Sequence, residues 1–174
     1  MLSNIVKANL YLKTFGLFKI PLLWFCRPKI VFLNEDSVEI KIPLRRRTKN
    51  HLNSMYFGAL SVGADITGGF LAMLCIQKSK RNVALIFKDF KANFLKRAEG
   101  DVHFKCDEGI NISKLVQKTI ESGKRENMVV HINASVPSIS EDIVAHLEST
   151  TILRTESYWM DTIKAVSRRG GHAY

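Results

Sequence analysis

Residues 50–69 constrain the fold of this chain more than any other segment. A polar loop with two asparagines leads there into an apolar helix rich in glycine, against which other backbone can pack closely. The pattern predicts a helix over residues 54–75, with Ser54 as its N-cap. Asp65 lies near the middle of this helix, and its neighbours at helical spacing offer no cation to pair with it. Burying an unpaired carboxylate is costly, so we expect Asp65 to have a partner, contact with water or a chemical role.

The composition fits one globular domain with a basic surface. Of the 174 residues, 46% are hydrophobic and 24% are charged, which allows a core of ordinary size. The net charge of +10 favours an anionic partner, such as nucleic acid, a membrane surface or a phosphorylated ligand. The three cysteines are widely spaced and show no metal-ligand spacing, so no metal site is expected. They fit a reducing compartment, and we expect a cytoplasmic protein.

The N-terminal segment, residues 1–27, is apolar but interrupted. Lys13, Lys19 and Pro21 break it, and its longest apolar run, 20–26, is far shorter than the ~20 residues of a membrane-spanning helix. No small-residue cleavage site follows, so a signal peptide is not expected. We predict a helix that packs in the core or in a dimer interface. The alternative is a helix that lies at a membrane surface, as a peripheral contact.

The rest of the chain alternates strands with one further helix. Turn signals and alternating hydrophobic residues predict strands at 30–33, 37–44, 83–95, 101–106, 127–136 and 142–154. The apolar residues expected on one face of the long strand are Ala84, Ile86, Phe90, Ala92 and Phe94. An amphipathic helix is predicted over 111–122, ended by Gly123. We expect one domain over residues 28–155 and a tail over 156–174.

This order of elements resembles the hotdog thioesterase superfamily, near the phenylacetic-acid-pathway-like thioesterases and a related family of uncharacterised function. The resemblance covers roughly residues 28–155 and rests on Asp65 and on segments 43–50, 57–60 and 94–102. It implies an α+β hotdog fold, in which a five- to six-stranded, mostly antiparallel sheet wraps a long central helix. It also implies a homodimer or a dimer of dimers that hydrolyses the thioester of an acyl-CoA or acyl carrier protein. No cofactor is implied beyond the coenzyme A of the substrate.

The residues of the helix support this chemistry. Gly58 and Asp65 are seven positions apart and therefore share a helix face. Unpaired N–H groups and the helix dipole at Gly58 can stabilise the negative charge that develops on a thioester oxygen. Asp65 can then activate water or, less favourably, attack the carbonyl itself. The resemblance places the site between two subunits, where Asn50 is expected to be catalytic and Asn53 to bind substrate.

The start of the helix departs from the phenylacetic-acid-pathway enzymes. Those enzymes carry His-Gly-Gly where this chain has Tyr56-Phe57-Gly58. Tyr56 and Phe57 are expected to contact substrate. The Tyr56 hydroxyl can donate a hydrogen bond there, or the Tyr56 side chain can have a packing role alone. The missing histidine keeps a second function open, in which a non-catalytic hotdog module binds acyl-CoA or lipid acyl chains.

Basic residues flank the asparagine loop and the long strand. Those expected to hold the phosphates of coenzyme A are Arg45, Arg46, Arg47, Lys49, Lys96 and Arg97. Acyl carrier protein, an acidic partner, would suit the same surface. Nucleic acid is not an expected partner, because zinc spacing, an aromatic RNA-binding signature and a recognition-helix pattern are all missing.

Each candidate also has a plain structural interpretation. Asp65 can lie on a wetted helix face, and the glycines can simply let the sheet wrap closely around the helix. Asn50 and Asn53 can be ordinary loop or capping residues. The basic run can be a solvated surface.

Overall fold

The computed structural model describes residues 4–155, which form four helices and six strands. The helices are α1 (Asn4–Phe18), α2 (Pro21–Cys26), α3 (Phe57–Ser79) and α4 (Gly109–Ser122). The strands are β1 (Lys29–Leu33), β2 (Val38–Ile42), β3 (Val83–Phe94), β4 (Val102–Cys106), β5 (Glu126–Val136) and β6 (Ser140–Thr155). All neighbouring strands are antiparallel, in the order β1-β2-β4-β5-β6-β3. The predicted α+β class is confirmed, while the predicted tail, 156–174, lies outside the described residues.

The long helix α3 runs through the core and packs against the sheet. Phe70 of α3 and Phe104 of β4 are both fully buried there. A Cβ atom at Gly63 would lie only 2.3 Å from the Phe104 ring, so this contact requires glycine. Within residues 4–155, α3 is the one helix whose length and apolar composition would allow it to cross a membrane. Most of the apolar part of α3 is buried inside the fold, however. Its hydrophobicity is therefore accounted for by the core.

The start of α3 corrects a prediction. The N-cap is Tyr56, without a side-chain capping bond, so the expected N-cap at Ser54 is wrong. Ser54 is instead held inside the preceding loop, where the Asn50 amide nitrogen donates to its Oγ at 3.0 Å. The Tyr56 N–H donates to the Thr48 carbonyl at 2.8 Å, which closes this loop before the helix begins. At the other end α3 continues to Ser79, because a left-handed residue, Lys80, stops it only there.

Strand β3 contains a bulge that the sequence pattern did not predict. Phe87 pairs with Thr151 of β6, whereas Phe90 pairs with Ser149, so β3 has one extra residue between them. The extra residue reverses the alternation of side chains. The prediction of a single apolar face on this strand is therefore wrong. The apolar residues before the bulge, Ala84 and Ile86, lie on the opposite face from those after it, Phe90, Ala92 and Phe94.

Helix α1 is attached to the edge strand β1 through one side chain. The Asn9 amide nitrogen donates to the Ile30 carbonyl at 2.9 Å, and its oxygen accepts from the Ile30 N–H at 2.9 Å. Asn9 therefore pairs with β1 as a neighbouring strand would. Leu12 of α1 and Leu23 of α2 are buried in the same core as the sheet. The N-terminal helices thus pack on the core.

Replacing Asn9 with alanine should loosen this attachment. The change leaves the Ile30 N–H and carbonyl without partners, so we expect the free energy of unfolding to fall by about 1–3 kcal/mol in a urea titration. Thr14→Ala on the same helix is the control, because Thr14 bonds only to carbonyls of its own helix. Equal losses in the two variants would contradict a special role for Asn9.

Candidate functional site

Asp65 lines a small cavity between α3 and the strands β3 and β6. The cavity has a volume of about 270 Å³. Its lining residues are Ser61, Val62, Asp65, Phe87, Phe90 and Ser149. Both phenylalanines reach it because the β3 bulge turns them to the same face of the strand. The result is a mostly apolar chamber that contains one carboxylate and two hydroxyl groups.

The electrostatic surroundings of Asp65 are unusual for a carboxylate. Asp65 is only partly exposed, and within residues 4–155 no group donates a hydrogen bond to it or forms an ion pair with it. Burial raises the pKa of Asp65 above its ordinary value. A carboxylate with a raised pKa in a cleft is a candidate general base, because it binds a proton more readily than an exposed one.

Two hydroxyl groups near Asp65 were not among the predicted site residues. Ser61 lies one helical turn before Asp65, and its Oγ donates to the Phe57 carbonyl at 3.0 Å. The four-residue spacing of Ser61 and Asp65, which places both on one face of a helix, could have identified Ser61 from the sequence. Ser149 comes from β6, and no local pattern connects it to Asp65. On the same face of β6, the Thr151 hydroxyl is buried and has no hydrogen-bond partner in the described part of the chain.

Gly58 lies in the first turn of α3, as predicted. The Tyr56 carbonyl accepts bonds from Ala59 N–H at 2.9 Å and Leu60 N–H at 3.1 Å, while no acceptor for the N–H groups of Phe57 and Gly58 is found in residues 4–155. These free donors at a helix N-terminus favour an anionic group. The Tyr56 ring lies against Gly58, since a Cβ there would be 2.7 Å from Tyr56 Cε1.

Gly58 and Asp65 share a helix face but do not line one cavity in the single chain. At 1.5 Å per residue, they are separated by about 10 Å along the helix axis. The rings of Tyr56 and Phe57 contact each other at 4.7 Å between centroids, and both are exposed beside the free N–H groups. In one chain, therefore, the Asp65 cavity lies two helical turns away from the rings of Tyr56 and Phe57 and from the free N–H groups beside them.

The two predicted asparagines have clear structural contacts in the loop before α3. The Asn50 oxygen accepts from the Leu52 N–H at 2.9 Å and the Ser54 N–H at 3.2 Å. Asn53 is exposed and takes a left-handed backbone (φ 63°), which asparagine tolerates better than most residues. Neither residue lines the Asp65 cavity of the same chain.

The predicted arginines gather at another place. Arg45, Arg46 and Arg47 line a cleft of about 690 Å³ together with Arg27 and Phe25 of the N-terminal region. The Arg47 guanidinium lies 5.1 Å from the centre of the Phe25 ring and donates to the Phe25 carbonyl at 3.3 Å. This cleft shares no lining residue with the Asp65 cavity.

The remaining predicted cations have acidic neighbours. Lys96 pairs with Asp142 at 2.7 Å, and Arg97 pairs with Glu99 at 3.1 Å. Lys49 lines a separate polar cavity of about 430 Å³ that also includes two carboxylates, Glu99 and Asp101. Across residues 4–155, no three histidine, cysteine or acidic side chains are grouped so as to hold a metal ion.

A family comparison covers most of the chain. Residues 9–153 match the model described as "Domain of unknown function (DUF4442)". The match includes most of α1 as well as the whole sheet up to Leu153. No curated protein sequence matches the chain.

Solved structures with the same arrangement are distant in sequence. A protein of unknown function from Pseudomonas aeruginosa, named a probable thioesterase, is 22% identical with a TM-score of 0.71, covering 89% of this chain and 98% of its own. A thioesterase from Haemophilus influenzae is 15% identical with a TM-score of 0.64, covering 89% and 93%. A protein of unknown function from Chlorobaculum tepidum is 11% identical with a TM-score of 0.75, covering 87% and 96%. At these identities the likeness concerns the fold, and the predicted hotdog fold is confirmed.

Proposed function

This chain belongs to the DUF4442 family of hotdog-fold proteins, and we propose on that premise that it hydrolyses the thioester of an acyl-CoA or acyl carrier protein. The observation that carries the proposal is Asp65, a partly buried carboxylate without a partner among the described residues. In the proposed site, the free N–H groups at the start of α3 are those of a second copy of the chain, because Gly58 of the same chain does not line the Asp65 cavity. The names of the Pseudomonas and Haemophilus proteins support the same reaction class.

The proposed reaction uses these groups in sequence. Asp65 accepts a proton from water while the water oxygen attacks the carbonyl carbon of the thioester. The carbonyl oxygen becomes negative and is stabilised by the N–H of Gly58 at the N-terminus of α3 in a second copy of the chain. When the tetrahedral intermediate collapses, the carbon–sulfur bond breaks and the thiolate takes the proton back from Asp65. The products are a carboxylic acid and a free thiol, and Ser61 is placed to orient the water.

A second copy of the chain completes the site in this proposal. β3 is the last strand of the sheet, and its Phe90 is 44% exposed although it lines the Asp65 cavity. The cavity therefore lies at the open edge of the sheet, where a partner strand can pair. A partner at this edge would bring its own Gly58 and asparagine loop toward Asp65. The expected assembly is a homodimer or a dimer of dimers.

A second candidate function is a binding module for acyl-CoA or acyl chains without catalysis. The contact between the Tyr56 ring and Gly58 favours this alternative, because the ring covers one approach to the free N–H groups. The family enzymes that the sequence resembles have a histidine and a glycine in the place of Tyr56 and Phe57. The two candidates share one ligand class and differ only in turnover.

Release of free thiol from short-, medium- and long-chain acyl-CoAs separates the two functions. We expect the unaltered protein to release thiol and Asp65→Ala to release none, while both remain folded and keep the same sedimentation coefficient. Retained acyl-CoA binding by both proteins with no turnover by either would favour the binding module. Neither binding nor turnover would overturn both.

Tyr56→Phe tests whether the tyrosine hydroxyl replaces the missing histidine donor. Tyr56 Cε1 and Cζ lie within 4 Å of the Cβ position of Gly58, so the hydroxyl on Cζ is near the proposed oxyanion donors. Loss of one neutral hydrogen bond in the transition state should lower kcat about tenfold, with an unchanged melting temperature. An unchanged kcat would mean that the Tyr56 ring only packs.

A further inference from the structure

The two N-terminal helices expose many large apolar side chains. We call the exposed residues of this region the α1–α2 surface, namely Leu10, Leu17, Phe18, Ile20, Leu22, Trp24 and Phe25. Phe18 is 76% exposed and Trp24 is 45% exposed. The inner faces of the same helices already supply the core with Leu12 and Leu23. The outer apolar side chains remain exposed in the folded chain, and a concentration of large exposed apolar residues marks a candidate interaction site.

The chain segment that carries this surface has charge of a single sign. Residues 1–34 include five cations and no acidic residue: Lys7, Lys13, Lys19, Arg27 and Lys29. The arginine cleft continues the cationic region, because Phe25 and Arg27 line it together with Arg45, Arg46 and Arg47. The α1–α2 surface is thus bordered by cations on the α1 side and on the side of the loop before α3.

A groove between the helices joins the apolar and the cationic groups. Its volume is about 770 Å³, with Leu10, Leu23 and Trp24 among its apolar lining. Lys13, Arg27 and Lys29 also line it. Apolar walls beside several cations suit acyl chains that lie below anionic phosphate groups.

We propose that the α1–α2 surface docks this protein onto a membrane that contains anionic phospholipids. Exposed tryptophan, phenylalanine and leucine enter the boundary between headgroups and acyl chains, and the surrounding lysines and arginines bind lipid phosphates. A second copy of the chain fits less well, since a two-fold interface would place this cationic surface against itself. The bonds between Asn9 and Ile30 keep α1 on the sheet, so docking requires no unfolding. This inference does not depend on thioester hydrolysis.

Vesicle co-sedimentation tests the proposal with the full chain. Vesicles of phosphatidylcholine alone are compared with vesicles that also contain phosphatidylglycerol. We expect binding to the mixed vesicles and a decrease of at least about tenfold in partitioning for Phe18→Ser combined with Trp24→Ser. The matched control combines Ile110→Ser and Ile139→Ser, which are 55% and 64% exposed elsewhere and should leave partitioning unchanged.

Tryptophan fluorescence gives a second readout. The chain has two tryptophans, so Trp159→Phe leaves Trp24 as the single emitter. Its emission should shift to the blue on mixed vesicles and be quenched by brominated phosphatidylcholine. Equal binding to both vesicle types, or binding to neither, would overturn the proposal. A third result would also overturn it. If the unaltered protein is an oligomer that does not bind vesicles, and the variant with Phe18→Ser and Trp24→Ser is a monomer in sedimentation velocity, the surface joins copies of the chain.

Discussion

Asp65→Asn is expected to abolish thioester hydrolysis and at the same time to raise the melting temperature of the protein. Loss of a general base typically lowers turnover by about 10²–10⁴-fold. Burial raises the pKa of Asp65, which means that the folded protein disfavours the ionised carboxylate at neutral pH. Asparagine has nearly the same shape and no charge, so it removes that penalty. A gain in stability with a loss of activity would identify a residue kept for function.

The direction of the pKa shift sets the pH range of this stabilisation. Well below 3.8, the ordinary pKa of the carboxyl, Asp65 is protonated in both the folded and the unfolded protein, and the variant gains nothing. As the pH rises from 3.8 through the raised pKa, the unfolded chain releases its proton first, and the unaltered protein loses stability relative to the variant. Above the raised pKa the difference stays constant. Melting temperatures measured across this range check the prediction.

Asp142→Asn is the matched control for the charge change. The Lys96 ammonium, hydrogen-bonded at 2.7 Å, lowers the pKa of Asp142, so the folded state favours its ionised form. Its replacement should therefore lower the melting temperature slightly at neutral pH, with little effect on turnover. A lower melting temperature for Asp65→Asn as well would contradict the prediction, because Asp65 would then have a partner that stabilises its charge.

Gly63→Ala is expected to be the most destabilising single-methyl change in α3. The new Cβ would lie 2.3 Å from the ring of Phe104, which is fully buried. Overpacking of this kind costs up to about 3 kcal/mol, and the better helix propensity of alanine returns up to about 1 kcal/mol. The free energy of unfolding should therefore fall by about 2 kcal/mol in a urea titration.

Gly68→Ala supplies the comparison on the same buried helix. Its Cβ would meet Ile132 Cδ1 at 3.4 Å, an ordinary contact, so the helix propensity gain should dominate and stability should hold or rise. Combining Gly63→Ala with Phe104→Leu should recover part of the loss, because leucine does not fill the ring position. If Gly63→Ala lowered the free energy of unfolding no more than Gly68→Ala, the close packing of Gly63 against Phe104 would be contradicted.

The sequence predicted the elements well where their signals are local. Gly123 ends α4 as expected, with a left-handed backbone. The β3 bulge, in contrast, is defined by pairing with β6, and nothing in the spacing of Phe87 and Phe90 specifies that register. The start of α3 was misplaced because Ser54, a good N-cap residue, is held by Asn50 instead. A nearby competitor thus overrode a correct local preference.

The candidate site was predictable for the residues that one helix holds together. Gly58 and Asp65 share a face of α3, and that follows from helical spacing alone. Ser149 could not be found in the same way, since it reaches the cavity only through the pairing of β6 with β3. The position of Arg47 against Phe25 likewise depends on how α2 packs, which local patterns do not encode.

The pairing of Asn9 with Ile30 also bears on how large an assembly of this sheet can grow. A side-chain amide already occupies part of the β1 edge, whereas the β3 edge has no neighbouring strand within residues 4–155. A second copy that pairs along β3 uses the open edge of both molecules at once, and the two outer edges of the joined sheet are then the Asn9-bearing ones. In the proposed dimer, the Asn9 amide would therefore act against strand addition at both outer edges and so against growth into a fibre.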